Sequence, residues 1–97
     1  MGLSFTGEKG AYLQSRDAIK IVAVDGDRRI DCYITRSALD AMGCPEGGGP
    51  DLLRHFERER DRAEIAAMVK HRRSLTPRVE LHIEAADFAV LLPAAAA

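Results

Sequence analysis

A chain of 97 residues, 46% of them hydrophobic and 30% charged, suits one globular domain and is too short to build two stable hydrophobic cores. Its formal net charge of −1 excludes a general attraction to polyanions, so contact with nucleic acid would need a local basic patch. The sequence has no leading apolar segment and no apolar run of membrane-spanning length. We therefore expect a cytoplasmic protein without membrane contact.

The amino-terminal part of the chain carries weak signals. Residues 3–6 have the composition of a short strand, and Gly7 to Ser15 is predicted to be a loop that folds back on the core through Tyr12 and Leu13.

A β-hairpin follows, and it is the strongest strand signal in the sequence. Ile19 to Val24 and Arg29 to Thr35 are rich in β-branched side chains, and the residues between them, Asp25-Gly26-Asp27-Arg28, are typical of a tight turn. A loop centred on Gly26-Asp27 fixes the register. It places three facing pairs on one buried face: Ile19–Ile34, Ile21–Cys32 and Ala23–Ile30.

Two helices are predicted after the hairpin. The first runs from Arg36 to Met42, with Thr35 as its N-cap and Gly43 as its left-handed stop. A glycine-rich loop, Cys44 to Pro50, then leads into a long helix from Asp51 to Arg73. One side of this long helix is apolar, and it carries Leu52, Phe56, Ala63, Ala66 and Ala67.

The last predicted strand alternates apolar and polar residues from Val79 to Ile83, after Pro77 has ended the preceding helix, and Phe88 closes its edge. Together these elements predict an α+β fold: a small antiparallel sheet with the hairpin at its centre, packed on one face by one short and one long helix. We predict a single α+β domain over residues 1–92 and a frayed low-complexity tail over residues 93–97.

This order of elements resembles the bacterial domain-of-unknown-function 1488 family. The residues that carry the likeness, between Phe5 and Phe88, are Asp25-Gly26, Cys32, Thr35 to Leu39, Phe56, Arg60, Ala67, Lys70, Val79 to Ile83 and Asp87-Phe88. One departure is Ala63, where the family leads us to expect a larger aliphatic residue. The resemblance implies a small bacterial α+β domain, and it brings no established activity.

Neither metal binding nor catalysis is indicated by the reactive side chains. The three histidines and two cysteines lack the spacing of a zinc site, and Cys32 is assigned to the buried face of the hairpin. Cys44 lies in the loop and is expected to be the more reactive thiol. Because no nucleophile, base and orienting group can be brought together from the pattern, we expect no enzyme activity, no metal and no cofactor.

The candidate contacts to phosphates or to an acidic partner are basic residues of the long helix and just beyond it: Arg54, Arg58, Arg62, Lys70, Arg72, Arg73 and Arg78. The carboxylates of Glu57, Glu59, Asp61 and Glu64 interrupt this basic row. We therefore expect a non-catalytic interaction or regulatory module with a protein partner. The alternative is a nucleic-acid-associated protein that uses the basic end of the long helix.

Self-association is a further expectation, because several branched residues have no predicted partner. Val22 and Val24 lie on the second face of the hairpin, and Ile65 and Val69 point away from the apolar side of the long helix. A two-fold homodimer would bury one of these surfaces. The alternative is that the amino-terminal loop and residues 85–92 fold over them.

Overall fold

The computed structural model describes residues 2–74 and 79–89 of the chain. This part contains five strands in one sheet and three helices. The elements are β1 (Ser4–Phe5), β2 (Ala11–Leu13), β3 (Ala18–Asp25), β4 (Arg28–Thr35), α1 (Arg36–Ala41), α2 (Pro50–Arg73), β5 (Glu80–Ile83) and α3 (Ala85–Ala89). The predicted α+β class is confirmed.

The hairpin of β3 and β4 forms the centre of the sheet, as predicted. The strands lie in the order β1-β3-β4-β5, and β2 pairs with β3 along the same edge as β1. All three predicted pairs are present: Ile19–Ile34, Ile21–Cys32 and Ala23–Ile30. Gly26 has a φ of 64°, which a two-residue hairpin turn requires and which glycine adopts without strain.

Two predictions about the sheet are wrong. The segment from Gly7 to Ser15 is not entirely a loop, because β2 lies within it and pairs antiparallel with β3. The sheet is mixed, because β5 runs parallel to β4. The chain leaves β4 through α1 and α2 before it returns as β5, and such a long crossover allows the two strands to run in the same direction.

The short helix begins at Arg36 as predicted and ends at Ala41, one residue before the predicted end, but Thr35 acts differently from the expected cap. Its side chain makes no capping hydrogen bond to α1. The Thr35 hydroxyl donates instead to the carbonyl oxygen of Ile83 at 2.8 Å, which ties the start of α1 to the end of β5. Gly43, with a φ of 79°, follows the helix as its left-handed stop.

The long helix packs its apolar side against the sheet. The five predicted residues, from Leu52 to Ala67, are all buried. Phe88 is buried as well, on a short helix, α3, that the sequence did not predict. Val79 departs from the prediction: it precedes β5 and is 66% exposed.

The second face of the sheet is less exposed to solvent than predicted, because side chains of this face and of the turn that precedes β3 cover it. Val22 and Tyr33 are both buried. The guanidinium of Arg16 lies 4.3 Å from the centre of the Tyr33 ring, and the His82 ring packs edge-on at 5.5 Å. Of the four branched residues expected to lack a partner, Ile65 is the most exposed, at 45%. Among the described residues, no helix is long and apolar enough to cross a membrane.

Candidate functional site

Among the described candidate basic residues, the four exposed ones divide into two groups at opposite ends of α2. Arg54 and Arg58 are exposed near its start, and Arg72 and Arg73 are exposed at its end. At 1.5 Å per residue, the two groups lie roughly 25 Å apart along the helix, too far to form one patch. Arg78 lies outside the described residues.

Two of the candidate residues make structural contacts between elements. The ammonium of Lys70 lies 3.1 Å from the Asp87 carboxylate and also donates a hydrogen bond to the carbonyl oxygen of His82. Arg62 pairs with Glu59 at 3.4 Å, and its guanidinium lies 5.7 Å from the centre of the Phe88 ring. Both side chains help to hold α3 and β5 against α2. Since they are paired within the domain, they are less available to bind a phosphate or an acidic partner.

A groove of about 650 Å³ lies between the amino-terminal loop and the first turns of α2. Its lining is mostly apolar carbon with charged groups among it, and it consists of Lys9, Gly10, Pro50, Leu53, Arg54, Glu57 and Arg58. Two sequence-predicted residues, Arg54 and Arg58, therefore belong to this groove, together with Lys9, which the sequence analysis did not single out. Three cations and one carboxylate line it, so the groove carries an excess of positive charge.

The single carboxylate of the lining, on Glu57, is already hydrogen-bonded within the domain. It accepts the backbone N–H of Gly10 at 3.0 Å and lies 3.3 Å from the guanidinium of Arg60. Arg60 also pairs with Glu64 at 2.7 Å and donates to the carbonyl oxygen of Glu8 at 2.7 Å. These bonds hold the amino-terminal loop against α2. Because they use the Glu57 carboxylate, no carboxylate among the described lining residues remains to balance the three lining cations.

Arg60 is a residue of this region that the sequence analysis did not assign to the buried side of α2. Its pairs with Glu57 and Glu64 follow from helical spacing, and such pairs are expected on an exposed face. The structure instead buries Arg60, with 9% exposure, and no described residue offers a hydrogen-bond partner to its Nη2. The spacing of the helix could have indicated this burial. Arg60 lies four residues after Phe56 and three before Ala63, so it falls on the buried side of α2.

Gly10 allows the loop to approach the core closely enough to form one wall of the groove. A Cβ atom at this position would lie 2.7 Å from Cγ2 of Ile19 and 3.3 Å from Cε2 of Phe56, both fully buried residues. Only glycine fits there without displacing the core. The position of Lys9 over the groove therefore depends on this close backbone approach.

A second, polar cleft of about 410 Å³ adjoins the glycine-rich loop. There Asp17, with a φ of 47°, accepts hydrogen bonds from Arg36 at 2.9 Å and from the Tyr12 hydroxyl at 2.6 Å. These two donors hold the pKa of Asp17 below its ordinary value. Arg36 also donates to the carbonyl oxygen of Gly47 at 2.7 Å. The network joins the β2–β3 turn, the start of α1 and the loop.

Both cysteines are buried, free thiols. Burial raises the pKa of Cys32 to about 12, and burial also raises the pKa of Cys44. The expected exposure of Cys44 is therefore wrong, because its backbone folds onto α1, where its N–H donates to the carbonyl oxygen of Leu39 at 3.0 Å. Among the residues that the structure describes, no three His, Cys, Asp or Glu side chains cluster closely enough to hold a metal ion.

Comparisons with known proteins place the chain in a family. Its sequence matches no curated protein. Its fold is similar to that of a crystal structure of a protein of unknown function from Shewanella loihica PV-4, with a TM-score of 0.68 and 21% identity, over 86% of this chain and 92% of that one. The family model described as "Protein of unknown function (DUF1488)" matches residues 3–83, which is most of the sequence. The chain therefore belongs to the DUF1488 family.

Proposed function

We propose that this chain is a non-catalytic interaction module of the bacterial cytoplasm that binds a short acidic segment of a partner protein. The segment carries one apolar side chain flanked by carboxylates, and it lies in the groove between Lys9-Gly10 and the first turns of α2. The observation that carries the proposal is the composition of this groove: an apolar floor is bordered by three cations, and its one carboxylate, on Glu57, is already bonded to the Gly10 amide and to Arg60.

The apolar floor supplies the anchoring surface. Pro50, Leu53 and Gly10 line the groove, and Leu53 is only half-buried although it packs against the core. Covering such a side chain with an apolar residue of the partner stabilises the complex in proportion to the area removed from water.

The cations supply selectivity for an acidic partner. Within the described residues Arg54 pairs only with the exposed Asp51, at 3.1 Å. So exposed a pair contributes little to stability and can be exchanged for a partner carboxylate. A guanidinium binds a carboxylate through two parallel hydrogen bonds, so Arg54 and Arg58 can orient the segment as well as attract it.

A random-peptide display selection on the purified protein tests the proposal. Enriched sequences should share an apolar residue flanked by Asp or Glu. Their affinity, measured by fluorescence anisotropy, should fall at least tenfold in the double variant Arg54→Glu/Arg58→Glu. The matched control is Arg28→Glu/Arg29→Glu, which also reverses two exposed charges but at the start of β4, outside the groove, and which should leave the affinity unchanged. Failure to enrich acidic peptides, or equal loss of affinity in the control, would overturn the proposal.

The same variants separate this function from nucleic-acid binding. At 50 and 200 mM salt, the affinity for a labelled DNA duplex and for a labelled single-stranded RNA should be the same in the wild type and in the groove variant Arg54→Glu/Arg58→Glu. Binding that weakens steeply with salt and is lost in Arg72→Glu/Arg73→Glu, but kept in the groove variant, would favour nucleic-acid association through the end of α2 instead.

A further inference from the structure

The outer edge of β5 is the second surface of the domain that can bind a partner. Within residues 2–74 and 79–89, β4 is the only strand beside β5. Strand edges present unpaired backbone N–H and C=O groups, and these groups form hydrogen bonds with any added strand of matching register.

The parallel pairing with β4 determines which backbone groups point outward. The carbonyl oxygen of Val79 accepts the N–H of Asp31 at 2.9 Å, so Val79 points its backbone toward β4. Since the direction alternates along a strand, Leu81 also points inward, while Glu80 and His82 direct their N–H and C=O groups away from β4. The outward carbonyl of His82 accepts a hydrogen bond from Lys70, and it keeps a second lone pair for another donor.

We propose that two copies of this chain associate through this edge, with β5 of one copy antiparallel to β5 of the other. The two-fold axis passes between Leu81 of one copy and Leu81 of the partner subunit. Glu80 then faces His82 of the partner subunit, and each of these two pairs exchanges both of its backbone hydrogen bonds. The two five-stranded sheets become one continuous sheet.

Side-chain chemistry supports this register over its alternatives. It places the carboxylate of Glu80 across from the imidazole of His82 of the partner subunit, a complementary pair that occurs twice by symmetry. Moving the axis to Glu80 or to His82 would instead place like side chains opposite each other at the centre of the interface.

The register also provides a contact for the most exposed large apolar residue of the described chain. Val79, at 66% exposure, lies across from position 83 of the partner subunit in a non-hydrogen-bonded pair; because the Ile83 side chain is fully buried within its own subunit, Val79 packs over the strand edge rather than against that side chain. Covering Val79 removes from water a branched side chain that the monomer leaves uncovered.

Sedimentation equilibrium of the intact protein between 1 and 300 μM tests the proposal. The wild type should show a monomer–dimer equilibrium in this range. Glu80→Pro should be monomeric, because proline removes one outward N–H donor. An edge strand tolerates proline at a position whose N–H points to solvent. The melting temperature at low protein concentration should therefore stay near that of the wild type.

Charge variants keep the test decisive if the proline variant fails to fold. His82→Glu places two carboxylates opposite each other in both pairs and should weaken the dimer about tenfold. The exchanged double variant Glu80→His/His82→Glu restores both pairs and should recover wild-type association. A wild type that stays monomeric at 300 μM overturns the proposal, as does a dimer that Glu80→Pro and His82→Glu leave unchanged.

Discussion

Replacing Phe56 by alanine should destabilise the domain more than any other single truncation on α2. The ring is fully buried, and it lies against the position where the amino-terminal loop passes closest to the core, at Gly10. Truncations of buried phenylalanine cost about 3 to 5 kcal/mol, because the transfer energy is lost and a cavity is left. A domain of this size has a total stability of about 5 to 15 kcal/mol. The change therefore removes a large share of it.

The melting temperature gives a direct measure of this loss. With about 2.1 cal/mol/K of unfolding entropy per residue, the whole chain has about 0.2 kcal/mol/K, so a loss of about 4 kcal/mol lowers the melting temperature by about 20 °C. Thermal unfolding followed by circular dichroism would show it.

Two variants serve as controls for this experiment. Phe56→Leu keeps most of the volume and should cost less than about half as much. Arg58→Ala, exposed on the same helix, should change stability by less than about 0.5 kcal/mol. If Phe56→Ala melts within about 5 °C of the wild type, the ring does not pack as described and the buried side of α2 is misassigned.

Three other results are expected. Neither Cys32 nor Cys44 should react readily with a thiol reagent at pH 8 in the folded protein, because both are buried and the pKa of Cys32 is raised to about 12; reaction at the rate of the unfolded chain would contradict this burial. The hydrogen bond from His71, at 2.8 Å, lowers the pKa of Asp25, so the stability that this carboxylate contributes is fully present above its ordinary pKa of 3.8 and is lost as the pH falls below that value. In urea unfolding, the difference between wild type and Asp25→Asn should therefore shrink below pH 3.8, and a constant difference would exclude the linkage. Arg60→Leu should release the amino-terminal loop and speed hydrogen exchange at the Gly10 amide, whereas unchanged exchange would show that Arg60 does not anchor the loop.

The parts of the fold that could be predicted are those that local patterns specify. The turn at Gly26 and the alternation on either side of it fix the register of the hairpin, because a shift by one residue would turn Ile21 and its neighbours to the other face. The buried side of α2 follows in the same way from the repeat of Leu52, Phe56 and Ala63 along a helix.

The parts that could not be predicted depend on contacts between distant segments. β2 has three residues and becomes a strand only because β3 offers an edge to it. The direction of β5 depends on the route of the chain through two helices, which no local pattern encodes. The burial of Arg60 depends on the carbonyl of Glu8, 52 residues away, and that contact turns an ordinary helical ion pair into an anchor for the loop.

The groove was only partly predictable for the same reason. Spacing along the helix singles out Arg54 and Arg58 as neighbours, but it also groups them with Arg62, which the structure turns toward Phe88. Lys9 joins the site through a loop whose position depends on tertiary hydrogen bonds. Helical periodicity can therefore predict that charged residues form a row along a helix, but which of them share a surface depends on the packing of the whole fold.

The two proposed interfaces use opposite ends of α2, and this separation makes them distinguishable within one chain. The groove lies beside Arg54, while Lys70 holds the strand whose outer edge would form the dimer. Sixteen residues of helix, about 24 Å, separate them. Changes this far apart with no shared partner act additively, so a chain that combines Arg54→Glu with Glu80→Pro should lose peptide affinity and dimerisation by the amounts seen in each single variant. A loss of dimerisation in Arg54→Glu alone would show instead that the two surfaces are coupled through α2.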